Sequence, residues 1–495
     1  MASVKKVLID KMEQLLQSVG GKNRSGENLF ITRGVVQNDL RPNEKGTYGF
    51  ISFIRADQQP SGPYSGLSIK VNPGKYHYRI SLDIGNEGFG DDYQLAALPG
   101  TRRKYLELQH DILTYIKTKN ADITCFSALD FTDDTKKREL AKLETEYTED
   151  NIDSHPVDLF VAFVKRPEIE EAGIDDEDTD FWKVFKAVIA VYAELRQWPN
   201  KKETDRAIAF KQALKLTKIV NTTDEMTIVK HLLNKRKYVV VQGAPGTGKT
   251  YLTGKIRQNY KDQNVFFTQF HAETTYSDFV GGYQPITERG NLTYSYQEGP
   301  LVQAIRQAKD SKDPVLLIID EINRANLSNV LGEAFYLFES NAGENRAEVK
   351  LGNPISALRL TKLPKNMQVV ATMNTADRSL AVIDFALRRR FAWFTMRPRE
   401  LKNTELLSGE KFHKALFNRL HSIFQMYASS DELMLEPGQA YFVTAKIDAE
   451  QAMKERLKYE LLPLIREYLE NGLMTSASDA FNQLFIDEID QTLFV

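Results

Sequence analysis

The chain has 495 residues, of which 42% are hydrophobic, 10% aromatic and 27% charged; these are proportions of a globular protein of several domains and exclude collagenous, low-complexity and wholly disordered classes. One cysteine, Cys125, leaves no internal disulfide and no cysteine-rich zinc site, so it reads as a core residue of a chain kept in a reducing cytoplasm. The net charge of −2 is unevenly spread: residues 1–120 carry 17 basic and 12 acidic side chains, 121–200 carry 9 and 20, and the remainder 39 and 35.

No run of eighteen apolar residues occurs, and charges interrupt the first twenty residues, unlike a signal peptide, so neither a membrane span nor export is expected. Val4, Leu8, Met12, Leu15 and Val19 recur at helical spacing, with Gly20-Gly21 as the stop. The period then becomes two: Leu67, Ile69 and Val71, then Tyr76, Tyr78, Ile80, Leu82 and Ile84, predict a hairpin around Asn72-Pro73-Gly74-Lys75. With apolar runs near 28–36 and 48–55 this is a mainly β module, followed by a helix over about 101–118. Residues 121–180 are acidic and polar, and Asp175 to Asp180 read as a solvated run placing negative charge at the start of a buried helix, Phe181 to Trp198. A linker is expected at Pro199 to Lys202. Beyond it, helical stretches alternate with continuously apolar strands, Tyr238–Val241, Val265–Thr268, Val315–Ile319 and Val369–Met373, the pattern of a parallel sheet covered on both faces. After about residue 400 helical patterns prevail. The expected organisation is therefore an N-terminal α+β, mainly β module over 1–200, an α/β nucleotide-binding subdomain over 201–400 and a helical subdomain over 401–495.

The strand at 238–242 runs into Gly243, Ala244, Pro245, Gly246, Thr247, Gly248, Lys249 and Thr250, which is the full phosphate-loop spacing. A strand before and a helix after allow backbone N–H groups to ring a β-phosphate at a helix N-terminus, with Lys249 on the β- and γ-phosphates and Thr250 on Mg²⁺. The strand ending at Ile319 delivers Asp320 to the metal and Glu321 to the attacking water. Asn374, at the tip of the fourth strand, can orient that water or the γ-phosphate. Arg388, Arg389 and Arg390 read either as a solvated face or as a cation offered to a neighbouring subunit's transition state, and the phosphate loop favours the second. Glu348-Val349-Lys350 matches half of a common nuclease signature, but so short a pattern arises by chance, and no nuclease is assigned.

The strings Asp320-Glu321-Ile322-Asn323-Arg324-Ala325-Asn326 and Met373-Asn374-Thr375-Ala376-Asp377-Arg378-Ser379-Leu380-Ala381 resemble those of the McrB family, AAA+ GTPases that drive modification-dependent DNA restriction. Gln269-Phe270-His271, the segment Tyr276 to Tyr283 and Tyr459 to Leu464 extend the likeness over roughly 215–475. The resemblance implies an AAA+ P-loop NTPase, with a five-stranded parallel sheet, a helical lid and hexameric rings. It implies Asn374 as first sensor, Asp377 as its neighbour in the signature, Arg389 with Arg388 or Arg390 as the trans-acting finger, and Arg324 at the subunit interface. It places the Gly290-Asn291 hairpin on the ring's inner surface. At Pro437 to Phe442, where many AAA+ proteins carry a lid arginine, this chain has none, and a second sensor stays unassigned there.

GTP is implied by the resemblance alone, because a phosphate loop leaves the base unread; ATP, as in MoxR-type chaperones that remodel proteins, is the alternative. The resemblance also implies a separate McrC-like nuclease, DNA with modified bases as target, and a role in restriction or anti-phage defence. Residues 1–200 occupy the target-recognition place. Their aromatics (Tyr48, Phe50, Phe53, Tyr64, Tyr76, Tyr78, Phe89, Tyr93) and cations (Arg55, Lys70, Lys75, Arg79, Arg102, Arg103, Lys104) suit DNA phosphates and a stacked base, although for Tyr76 and Tyr78 the spacing with Ile80, Leu82 and Ile84 favours the buried face of a sheet.

Overall fold

The computed structural model describes residues 4–23, 29–33, 51–55, 66–85, 91–145, 147, 157–166, 173, 176–198, 201–214, 224–288, 291–339, 347–376 and 385–494. The chain forms two compact units, Met1–Asn221 and Thr222–Val495.

In the first unit the strands are β1 (Lys22–Asn23), β2 (Leu29–Arg33), β3 (Ile51–Arg55), β4 (Leu67–Pro73), β5 (His77–Ile84), β6 (Ile123–Ser127) and β7 (Val157–Lys165). They make one sheet in the order β1-β2-β3-β4-β5-β7-β6, antiparallel except for β1 on β2. The expected hairpin is β4–β5, where Leu67 faces Ile84, Ile69 faces Leu82 and Val71 faces Ile80. This apolar row is buried, and the helix Asp180–Leu195 packs on the sheet with Phe181, Trp182 and Phe185 fully inside. Tyr78 joins this core, its ring 5.0 Å from that of Phe181. Tyr76 does not: it lies just before the start of β5, 55% exposed, so the buried alternation begins at Tyr78, two residues later than the spacing suggests.

The opposite row of the same hairpin, Ser68 with Asp83, Lys70 with Ser81 and Asn72 with Arg79, is also buried, although alternation alone predicts a wet face. Several of its polar groups bond one another, as burial favours: Arg79 donates to Asp158 at 2.5 Å and to Ser81 at 2.9 Å, and Ser81 donates to Asp83 at 3.0 Å, whereas Asn72 Oδ1 and Asp158 Oδ1 are buried without a hydrogen-bond partner among the described residues. Burial pushes the Asp83 carboxyl up. The acidic stretch 121–180 is not one solvated loop. It holds β6, the helix Asp134–Glu144 and β7, whose Leu159–Val164 run is buried between β5 and β6. Cys125 sits in β6, and burial raises its thiol to about 12, consistent with an inert core residue.

In the second unit β8 (Tyr238–Gly243), β9 (Val265–Gln269), β12 (Val315–Asp320), β15 (Met367–Asn374) and β16 (Ala392–Thr395) form a five-stranded parallel sheet in the order β16-β8-β15-β12-β9. Val239, Val240 and Val241 of β8 and Leu316 to Ile319 of β12 are buried, because helices cover both faces. On one side lie Glu225–Arg236 and Lys249–Arg257, whose Val229, Leu233, Leu252 and Ile256 meet Val239, Val241 and Val370. On the other, Pro300–Asp310 packs its Leu301, Val302 and Ile305 on Val240, Leu317 and Val369. β10 (Gly281–Glu288) with β11 (Asn291–Glu298) forms the expected hairpin, while Gly290 lies outside the described residues; β13 (Val349–Leu351) pairs with β14 (Leu358–Leu360). The lid has its own core, built from Lys414–Tyr427, Ala449–Arg456, Leu462–Glu470 and Ser478–Ile489, with a small pair, β17 (Glu410–Phe412) on β18 (Val443–Ala445).

Candidate nucleotide site

In this strand order β8 is followed in the chain by β9 at the far edge, so a crevice opens beyond the C-terminal ends of β8, β15 and β12. Three of the predicted residues stand there, one at each strand end: Gly243, Asn374 and Asp320. Asn374 lies directly across from Gly243 in the ladder.

The loop after β8 turns on Gly246 (φ +78°) and Gly248 (φ +91°), in the left-handed region where glycine is unstrained. Its carbonyls are all engaged by protein. Gly243 O accepts from Thr375 N (3.2 Å) and, with Ala244 O, from Lys249 Nζ (2.9 Å each). Pro245 O accepts from Gly438 N (2.9 Å), Gly246 O from Ala440 N (3.0 Å), Thr247 O from Gln439 Nε2 (2.7 Å) and Gly248 O from Leu252 N (2.9 Å). With every carbonyl taken, the loop's amide hydrogens remain as donors for an anion at the start of the helix Lys249–Arg257. Thr247 is buried, its hydroxyl on Ala244 O (2.8 Å), whereas Thr250 is exposed in the first helical turn.

Thr372, two residues before the tip of β15, donates to Asp320 Oδ1 and accepts from Glu321 N at 3.0 Å, so one hydroxyl fixes both acidic residues. Glu321 itself sits at φ +53° and ψ +51°, a turn that separates its side chain from that of Asp320. Asn374 Nδ2 donates to Glu321 Oε1, Asn323 Nδ2 donates to Asn374 O (3.2 Å), and Arg324 Nε lies 3.5 Å from Glu321 Oε2. The structure thus brings Asp320, Glu321 and Asn374 into one hydrogen-bonded group around Thr372, with Arg324 beside it as an ion-pair partner of Glu321. Asp377 lies outside the described residues.

The three arginines end the short helix Phe385–Arg390 in unlike settings. Arg388 lies over the Trp393 ring (5.1 Å), Arg389 pairs with Glu339 (2.9 Å) with its side chain 66% exposed, and Arg390 packs over Phe335 (4.1 Å) at 8% exposure.

Sequence reasoning missed the lid's part in the site. Gly438, Gln439 and Ala440 dock on the phosphate loop as given above, and Arg456 lines the same cleft while donating to Ala440 O (2.8 Å). The cleft, about 380 Å³, also takes in Glu225 and Arg399. None of these carries a motif; a Pro-Gly-Gln string is ordinary loop sequence.

Among the described residues no group of three or more His, Cys, Asp or Glu could hold a metal by itself, and Glu348 of the half-signature pairs with Arg359 (3.3 Å) on the β13–β14 hairpin. In the first unit, Lys70 and Arg79 are buried and Lys104 pairs with Glu194 (2.7 Å), so these three do not offer their charges to a phosphate backbone. Phe53 and Tyr78 are core residues, while Lys75, Tyr76 and Arg102 are exposed. Tyr48, Phe50, Tyr64 and Phe89 lie outside the described residues, as does the Arg55 side chain. No described helix is long and apolar enough to cross a membrane.

Residues 238–391 match the AAA domain of the dynein-related subfamily. The chain is 32% identical over 268 residues to the type IV methyl-directed restriction enzyme EcoKMcrB subunit of Escherichia coli K12, covering 50% of this chain and 57% of that one. It is 29% identical over 238 residues to the type II restriction enzyme BsuMI component YdiS of Bacillus subtilis 168, covering 41% of this chain and 65% of that one. The chain thus spans less than two thirds of either relative.

Proposed function

This chain is a McrB-like AAA+ protein, and on that premise we propose that it is the GTP-hydrolysing motor subunit of a DNA restriction complex, acting with a separate McrC-like nuclease in anti-phage defence. The target-recognition module, expected over 1–200, extends to Asn221 as the first compact unit; the nucleotide-binding part then runs from Thr222 to about residue 400, and 401–495 form the lid of a hexameric ring. The observation that carries the reading is the contact between Asn374 and Glu321 at the ends of neighbouring strands, beside a phosphate loop whose carbonyls are all engaged.

The loop amides hold the β-phosphate, and Lys249 exchanges the Gly243 and Ala244 carbonyls for phosphate oxygens. The Thr250 hydroxyl and the Asp320 carboxylate are hard oxygen donors that would hold Mg²⁺, which when bound would supply charge neutralisation at the phosphates. Thr372 keeps Asp320 in place. Glu321 accepts a proton from the attacking water, and Asn374 holds that carboxylate until the γ-phosphate offers its amide a competing acceptor. Arg389, with Arg388, supplies positive charge to the neighbouring subunit's site; Arg390 anchors the run through Glu339 and Phe335.

The test is steady-state hydrolysis of GTP and ATP side by side with Mg²⁺, for the wild-type chain and for Glu321→Gln. The wild type is expected to prefer GTP. The variant should bind nucleotide and lose on the order of 100-fold or more in kcat. Retained turnover sinks the role given to Glu321, and ATP preference moves the function toward MoxR-type protein remodelling.

A further inference from the structure

Phosphates held over Gly246–Gly248 would take only part of the cleft, leaving the rest of it to base and ribose. That remainder is lined by Tyr251, Leu252 and Met396 and by an ion-paired trio, Glu225, Arg399 and Glu405. The trio is asymmetric. Arg399 grips Glu405 with both terminal nitrogens (Nη1 to Oε2 3.0 Å, Nη2 to Oε1 2.6 Å), a bidentate pair that neutralises that carboxylate. Among the described residues Glu225 receives only Arg399 Nε, at 3.5 Å. Its side chain is 24% exposed and opens the helix Glu225–Arg236, where the N-terminal dipole favours a negative charge. A carboxylate with one long hydrogen bond keeps acceptor positions for a ligand. Burial, partly offset by Arg399, pushes the Glu225 carboxyl above its ordinary value, as expected for a charge awaiting a donor; Glu405, bonded to Arg399, is held below its own.

We propose that Glu225, positioned by Arg399, is the residue that selects guanine over adenine. This inference rests on the GTP reading above and assigns the group responsible. Guanine presents two adjacent donors, N1–H and the 2-amino group, which match the two oxygens of a carboxylate. Adenine presents one amino donor beside the N1 lone pair, which faces a carboxylate acceptor to acceptor and leaves it desolvated and unpaired. One group therefore attracts the first base and rejects the second. Arg399 acts through Glu225 and is a positioning residue.

The experiment compares kcat/KM for GTP, ATP, ITP and XTP in the full chain, wild type and Glu225→Gln. In the wild type, ITP, which lacks the 2-amino group, should fall at least about 10-fold below GTP, through KM more than kcat. In the variant the GTP:ATP ratio should fall at least about 10-fold and XTP should gain on GTP, because a carboxamide pairs donor and acceptor with adenine or with the N1–H and O2 of xanthine. A wild type that prefers GTP while treating ITP equally well overturns the proposal without any variant. So does a Glu225→Gln chain that keeps the wild-type GTP:ATP ratio, and in both cases the GTP reading survives. A wild type that prefers ATP overturns both.

Discussion

Three consecutive arginines are alike in sequence and unlike in place, and the difference decides what each can do. Arg390 is buried over Phe335 and within 3.5 Å of Glu339, so its removal strips a cation from a buried ring contact and takes a charge partner from that carboxylate. Arg389 is mostly in solvent, and an exposed pair with Glu339 is worth little to the fold. Arg390→Ala should therefore lower the free energy of unfolding by about 1–3 kcal/mol in denaturant titration. Arg389→Ala should leave that titration nearly unchanged while turnover at ring-forming concentrations drops by about 1,000-fold or more. Equal losses of stability in the two variants, or full turnover by Arg389→Ala, would refute the division. The same holds for the carboxylates: Asp320-Glu321 was legible from a strand end, but that Thr372 serves both depends on the β12–β15 register, which no local pattern encodes.

At the scale of elements, the lid and the phosphate loop meet through Pro437 to Tyr441, a contact between segments almost two hundred residues apart. A Cβ added to Gly438 would stand 2.1 Å from Gly246 C and 2.2 Å from Thr247 N, both backbone, so no side-chain adjustment admits it. Gly438→Ala should push the segment off the loop, break the bonds from Gly438 N, Ala440 N and Gln439, and weaken nucleotide binding at least about 10-fold in a fluorescence titration. The lid helices should keep their helical circular dichroism, since their core is separate. Unchanged affinity would mean that the loop holds its shape without the lid. The elements that sequence announces are those with a strong local signal. The phosphate loop, β8, β12 and β15 combine continuous apolar runs with distinctive ends. β16 escaped as a strand because its four residues are only half-buried and follow a charged run. β6 and β7 were hidden by their neighbourhood: charge averaged over 121–180 marks a solvated loop, while Leu159 to Val164 alone is a buried strand. Glu225, Arg399, Gln439 and Arg456 meet only through the tertiary fold, so no spacing could have flagged them.

For the whole molecule the consequential fact is that each unit owns its sheet and its core. Met1–Asn221 closes β4, β5 and β7 under the helix Asp180–Leu195, and Thr222–Val495 closes the parallel sheet between two helical layers. Units with separate cores melt separately unless their interface is large. A nucleotide that binds only the second unit stabilises only that unit, by about 2.7 kcal/mol at a hundred times its dissociation constant, which for a unit of this size is a shift of roughly 5–10 °C. Calorimetry of Glu321→Gln, chosen so that the ligand persists, should show two transitions, with GTP and Mg²⁺ raising one by this amount and leaving the other in place. Target DNA added without nucleotide should raise the other transition, and that shift should shrink as salt rises, since a phosphate backbone releases counterions on binding. A single transition moved by both ligands would mean that the two units fold as one cooperative body. Two transitions, neither responding to DNA, would remove target recognition from the first unit and leave the motor assignment of the second intact.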